Sequence, residues 1–278
     1  MPTPSLITRD GQYEFNGLLL NDSLSDLDTL RVEKVSGLFD LPDTKVTESE
    51  LQDDHGGSIG RELFAMRRII LDVGIMSSTK ANMYAKLEAL NDKFQPSSAV
   101  LPFFFRRASI GTRFILVRPR KLGGFDTGWN MDGGMARGSI MLVAPDPRKF
   151  STTDNADVLT IASGGTTVGQ TVTMGGNFVG GARPILEIDG PVTNPRIANA
   201  GDGGRTIAID MVISSGQKLI IDTATRSVTL AGVDQSANVR ADNQWWVLNR
   251  GANLITFTRS NTPANTGVLT VKWNNAYA

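Results

Sequence analysis

At 278 residues the chain is long enough for about two domains, each able to bury roughly two thirds of its unfolded surface. Lys+Arg and Asp+Glu are 28 each, so no net field draws the molecule to phosphates or anionic lipid. The absence of cysteine excludes a disulfide framework, a thiolate metal site and a cysteine nucleophile.

No stretch reaches the ~20 apolar residues of a membrane-spanning helix. Met1-Pro2-Thr3-Pro4-Ser5 opens without a basic region leading into an apolar run, so the expectation is a soluble protein made in the cytoplasm. With 29 glycines, 12 prolines and one helical pattern, the fold class reads as mainly β, short strands joined by tight turns.

In chain order, Tyr13-Glu14-Phe15 and Leu18-Leu19-Leu20 flank Asn16-Gly17, two residues that tolerate positive φ, and predict a hairpin. Leu30 to Val35 begins a further strand. Phe39 to Ser58 is polar, acidic and glycine-terminated and reads as a long exposed loop or arm. Ile69, Leu71, Val73 and Ile75 recur every second position on one strand face. Ser77 or Ser78 is placed to cap a helix carrying Met83, Leu87, Leu90 and Phe94 in a single stripe, with Pro96 ending it. The stripe is explained by packing on a sheet, without a cofactor. Leu101, Phe103 and Phe105, then Phe114 with Leu116, then Ile140 with Leu142, alternate again. The first domain is therefore expected to be an α+β barrel-like unit around one helix. Arg106-Arg107 and Arg118-Pro119-Arg120-Lys121 are its densest basic spots. They lack the interleaved aromatics of a single-strand platform and read as solvated strand ends or subunit contacts.

The apolar run Ser139 to Ala144 meets Pro145-Asp146-Pro147-Arg148, where proline removes ladder donors and stiffens the exit. A domain border is expected there, giving domains 1–145 and 146–278. Beyond it, Asp154 to Asn177 reads as short edge strands or a loosely packed connection. Ile207, Ile209, Met211 and Ile213, opposite Ala208, Asp210 and Ser214, predict one half-buried antiparallel strand. Leu219 with Ile221, Val228 with Leu230, and Leu269 with Val271 and Trp273 continue the pattern. The first two pairs are joined across Asp222-Thr223-Ala224-Thr225. Two antiparallel sheets of jelly-roll type follow.

Several residues invite a chemical reading. His55, the only histidine, follows Asp53-Asp54, but adjacent residues of a polar loop rarely make a triad, and no Gly-x-Ser-x-Gly elbow occurs. Neither this group nor Asp202-Gly203-Gly204 holds enough ligands for zinc or calcium. The glycines from Gly164 to Gly169 and Gly175-Gly176 lack the lysine and helix of a phosphate loop and read as turns. Glu187 and Asp222 are a conceivable glycosidase pair that nothing distinguishes from other acids. Trp245-Trp246 suggests a sugar platform, yet neighbours in extended chain point oppositely, which predicts one ring in the core and one outward. The expectation is no catalytic residue, no metal site and no cofactor.

The strand closing on Ala144-Pro145-Asp146-Pro147-Arg148 is followed in order by three further pieces: Asn194-Pro195-Arg196-Ile197; Leu219 to Thr223 with Val228 to Gly232; and Trp246 to Ile255. With Gly60-Arg61 and Arg118-Pro119-Arg120 upstream, this succession resembles the distal tail protein family of long-tailed bacteriophages across most of the chain. The resemblance implies a hexameric ring at the distal end of a long non-contractile tail. The N-terminal domain would build the ring, and a galectin-like, jelly-roll β-sandwich would project outward. It further implies a structural hub between the tail tube protein and the hub, fibre or receptor-binding proteins of the adhesion apparatus, located in the virion, with DNA only passing through the lumen. The rival reading is a carbohydrate-binding module attaching the virion to cell-wall glycans. A tail-associated hydrolase is the third class and has no constellation to support it.

Overall fold

Asn16 and Gly17 take φ of 48° and 75°, the backbone of a two-residue hairpin turn. They fold Tyr13–Phe15 (β1) back onto Leu18–Leu20 (β2), with Tyr13 opposite Leu20. The expected hairpin is thus present in the computed structural model, which describes residues 2–22, 28–46, 48–50, 55, 57–60, 62–126, 134–260 and 266–278. Contacts divide the chain into one unit of Met1–Thr152 with Ala278 and a second of Thr153–Tyr277.

In the first unit, Thr29–Ser36 (β3) is followed by four short strands, Thr44–Lys45 (β4), Glu48–Glu50 (β5), Gly57–Ile59 (β6) and Leu63–Phe64 (β7). Arg67–Met76 (β8), the helix Lys80–Lys93 (α1), Leu101–Arg107 (β9), Gly111–Asp126 (β10), Met135–Ala144 (β11) and Lys149–Ser151 (β12) complete it. The main sheet runs β2-β1-β9-β10-β11-β8-β3, antiparallel at every pairing, and curls into a half-barrel. Asn21 ties its two outer strands together. The Asn21 N–H donates to the Leu30 carbonyl at 2.7 Å, and its side-chain oxygen accepts from the Val32 N–H at 2.8 Å.

Ile69, Leu71, Val73 and Ile75 all face the core as expected, together with Phe103, Phe105, Ile140, Leu142, Met83, Leu90 and Phe94. Leu87 is partly buried against them. The helix stripe therefore seals the concave face.

Four expectations for this unit are corrected. The helix cap is Thr79, whose Oγ1 accepts from the Asn82 N–H at 3.2 Å. Ser77 still extends the β8 ladder by donating its N–H to Gly134, and Ser78 donates to the Asp28 carboxylate. The core side of β10 is Ile115 and Val117. Phe114 belongs to the opposite face, where its ring packs on Phe104 and Phe150, so both faces of β9–β10 carry aromatics and alternation alone could not tell inside from outside. Arg118-Pro119-Arg120 lies within β10, and the register shifts between Pro119 and Lys121, a bulge that accommodates a residue without a donor. The Pro-Asp-Pro border is placed by sequence after residue 145. The units divide between Thr152 and Thr153 because β12 still pairs with β10, Phe150 opposite Phe114.

The second unit stacks two antiparallel sheets. Asn155–Ile161 (β13), Thr167–Met174 (β14), Ile185–Asp189 (β15), Val192–Thr193 (β16), Arg196–Asn199 (β17), Arg205–Ala208 (β18), Val212–Ile213 (β19), Lys218–Asp222 (β20), Ser227–Leu230 (β21), Val233–Asp234 (β22), Gly251–Thr258 (β23) and Gly267–Trp273 (β24) supply the strands. One sheet is β13-β24-β15-β20-β21-β22 and the other β14-β23-β17-β18.

Of the two readings of Asp154 to Asn177, edge strands hold and a loose connection does not: β13 and β14 each stand at the edge of a sheet, β13 pairing residue for residue with β24 and β14 with β23. The single strand expected from Ile207 to Ile213 is broken in two. Its alternation persists because Ile207, Ile209 and Ile213 are all buried, but the chain leaves β17 after Ala208 and re-pairs with β16 at Val212.

Leu90→Ala, which opens a hole beneath the helix, is expected to cost about 2–5 kcal/mol. Scanning calorimetry should show the first unit's transition lowered and the second unit's unchanged.

Candidate functional site

The feature that concentrates buried charge and exposed apolar surface is the root of the arm. Arg67 lies two residues before Ile69, on the inward face of β8, and is 2% exposed. Its Nη1 donates to the carbonyls of Gly37 at 2.8 Å, Leu38 at 3.1 Å and Asp40 at 2.5 Å, and its Nε to that of Pro147 at 3.1 Å. One cation thereby satisfies carbonyls that no ladder reaches, the condition under which a buried charge is tolerated.

Gly37, at φ 77°, has the Arg68 carbonyl where a Cβ would sit, so the turn must be glycine. Lys149 Nζ, also buried, donates to Leu38 O at 3.2 Å. Burial, then the Arg67 and Arg113 charges, pull its pKa down from 10.5 to about 8, with Asp40 opposing. Arg148 is held by Asp146 through Nε at 2.8 Å, giving the Pro-Asp-Pro-Arg segment its own internal clasp. Phe39 stands edge-on to Phe105 with the Arg107 guanidinium 4.9 Å above its ring.

From this root the segment expected as a long loop is drawn into two small ladders, β4 with β7 and β5 with β6. It leaves Leu41 at 72%, Met66 at 56% and Leu63 at 51% exposed.

The residues singled out by sequence fall elsewhere. His55 is exposed; Asp53 and Asp54 lie outside the described residues. Asp202 braces a single 3-10 turn: its Oδ2 accepts from the Val247 N–H at 3.1 Å and from Arg205 at 3.3 Å, while Gly203 takes the left-handed φ of 69°. Glu187 is held by Lys272 at 2.6 Å and Lys218 at 3.0 Å, and these hydrogen bonds, the Lys272 one foremost, depress its pKa. Asp222 accepts the Ala224 N–H at 2.7 Å and shapes the β20–β21 turn. Glu187, its carboxyl pulled down by the two lysines, is not poised as a general acid. Gly164 is a turn residue at φ 73°. Among the described residues no three His, Asp or Glu side chains converge as for a metal ion.

Trp246 is the core ring, buried and donating its indole N–H to the Ile197 carbonyl at 3.0 Å, while Trp245, expected to face outward, is half-buried. What sequence reasoning missed is the asparagine lattice around them. Asn199 donates to Val247 O at 2.8 Å; Asn253 donates to Asn249 O at 2.8 Å and accepts the Asn249 N–H at 2.9 Å. Both are fully buried. The Asn-Pro-Arg-Ile and Trp-Val-Leu-Asn-Arg-Gly-Ala-Asn runs are thus two halves of one packing motif.

Residues 175–277 match the family model described as siphovirus-type tail component, C-terminal domain. Across both units the fold is similar to the crystal structure of the SPP1 Dit protein, described as a paradigm of the hub adsorption apparatus in phages infecting Gram-positive bacteria. That likeness has 13% identity and a TM-score of 0.70, and covers 96% of this chain and 99% of that one. The phage p2 baseplate in its activated conformation with strontium aligns at 10% identity and a TM-score of 0.48, over 94% and 97%. No curated protein matches in sequence.

Arg67→Met removes the shared donor and strands several buried carbonyls, and is expected to cost about 3 kcal/mol in chemical unfolding. Lys149 supplies a pH test. Its folded pKa lies below the unfolded one, so the unfolded chain binds more protons between about 8 and 10.5 and stability gains as pH rises through that window. On moving from about pH 7.5 to about pH 10, the urea midpoint of the native chain should change more favourably than that of Lys149→Met.

Proposed function

We propose that the chain is a structural virion protein that assembles as a hexameric ring at the distal end of a long non-contractile tail and joins the tail tube to the host-adhesion apparatus. The observation that carries this is the match of residues 175–277 to the siphovirus-type tail component domain. The likeness of the whole fold to SPP1 Dit supports extending the reading to the first unit.

In this assignment the half-barrel unit, which runs to Thr152, builds the ring, and the galectin-like sandwich that follows serves as the platform for fibre, hub or receptor-binding proteins. In this reading the role is structural and calls for no catalysed reaction, cofactor or metal. It is synthesised in the bacterial cytoplasm and incorporated into the virion tail tip.

A closed ring requires two different, complementary surfaces on each subunit, with about 800 Å² buried per partner. DNA passes through the ring without being held. Lumen residues are therefore acidic or neutral, since arginines there would grip phosphates and slow exit. A carbohydrate platform built on both tryptophans is disfavoured, because Trp246 is 1% exposed and its indole N–H is already committed to the backbone.

Light scattering with negative-stain imaging is expected to show rings of about 180 kDa, six copies of a 29.9 kDa chain. A mass that stays at one copy at high concentration would count against self-assembly. Glycan-array binding that disappears in a folded Trp245→Ala variant would favour the carbohydrate reading instead.

A further inference from the structure

The chain's zero net charge conceals a segregation within the first unit. On the outward face of β3-β8-β11-β10, successive cross-strand rows bring Arg31 and Arg137 to either side of Gly74, Lys34 next to Asp72 and Ser139, Lys121 next to Met141 and Ile70, and Arg118 and Arg68 to either side of Val143. Among the residues whose side chains are described, six cations share this face with Asp72 and with Glu33, which lies in the bulge of β3 and pairs with Arg137 at 3.1 Å, and Asp126 stands opposite Arg137 in the ladder. An apolar seam of Ile70, Met141 and Val143 crosses it, Ile70 being 37% exposed. A shallow depression of about 410 Å³, lined in part by Glu33, Asp72, Arg137 and Ser139, indents it.

The arm has the opposite character. Its described residues expose Asp40, Asp43, Glu48 and Glu62 against Lys45, together with Leu41, Val46, Leu63 and Met66.

We propose that the outward basic face of the half-barrel sheet is the seat for the acidic, apolar-edged arm of a second copy of this chain. The inference rests on the ring reading and names its two unlike surfaces. Charge and apolar seam match on both sides, as steered and specific association requires. With its own arm in place, Arg68, Ile70, Lys121 and Arg137 of the same chain remain exposed, so the occupant is not the arm of the same subunit. A nucleic acid is the weaker fit, because the described residues of the face include carboxylates and an apolar seam and no stacking aromatic. Covering the cations with a neighbour's carboxylates also keeps them out of the path of the DNA.

The test uses the full chain in three forms: Arg68→Glu with Lys121→Glu on the face, Asp43→Lys with Glu62→Lys on the arm, and all four together. All these side chains are exposed, so the thermal midpoint and circular dichroism should be unchanged. Each pair alone is expected to raise the concentration needed for assembly by about tenfold or more. The four-fold variant should recover assembly, and an equimolar mixture of the two pair variants should co-assemble with alternating subunits, read by native mass spectrometry. If the native chain forms rings that neither pair weakens, this seat is wrong while the ring stands. If the native chain never assembles, both fall. Retardation of duplex DNA at about 0.15 M salt, abolished by the face variant, would reassign the face to nucleic acid and overturn the proposal.

Discussion

The first unit depends on one buried guanidinium. A chain that leaves a sheet edge, turns through Gly37 to Asp40 and returns at β8 carries carbonyls into a region without ladder partners, where each unpaired group is costly. Arg67 meets three of them with one nitrogen and reaches Pro147 with another. It therefore joins the arm root, the start of β8 and the exit from β11 in a single contact. Lys149 reinforces the same turn from a fourth direction, at the expense of its own ionisation.

The second unit solves a related problem with neutral groups. The run from Trp245 to Arg250 crosses the sandwich outside the long ladders, and Asn199, Asn253 and Asp202 supply its backbone with donors and acceptors. Those side chains are short and most of their partners are backbone atoms, and a Cβ at Gly201 would press on Asn253 Oδ1, which favours glycine there. Acids that sequence alone leaves open for chemistry are spent on turns and cross-strand lysine pairs.

Function in such a molecule lies on its surfaces. In the proposed role the chain meets copies of itself and unlike partners, so the informative quantities are the distribution of charge and exposed apolar side chains within each unit. The overall neutrality of the chain coexists with a cationic sheet face and an anionic arm. Neither is visible in overall composition: the acidity of the arm is local in the sequence, and the cationic face follows once strand pairing brings Arg68, Arg118, Lys121 and Arg137 onto one side.

The amino-acid order by itself determined the hairpin at Asn16-Gly17, the β8 and β11 core faces, the helix stripe, the β20–β21 hairpin, the two-sheet sandwich and the family likeness. Each rests on a local period or a turn residue whose φ preference is intrinsic. The parity of Arg67 with Ile69 was a legible sign of its burial, though a strand-end arginine reads by default as solvated. Tertiary structure alone decided which aromatic of Phe104, Phe105 and Phe114 faces which side, where Ile207 to Ile213 breaks between ladders, and that Thr79 caps the helix. It also decided that distant arginines share one face. The reason is common to all of these: alternation defines two faces but not which is covered, and that choice is made by strands brought together from far along the chain.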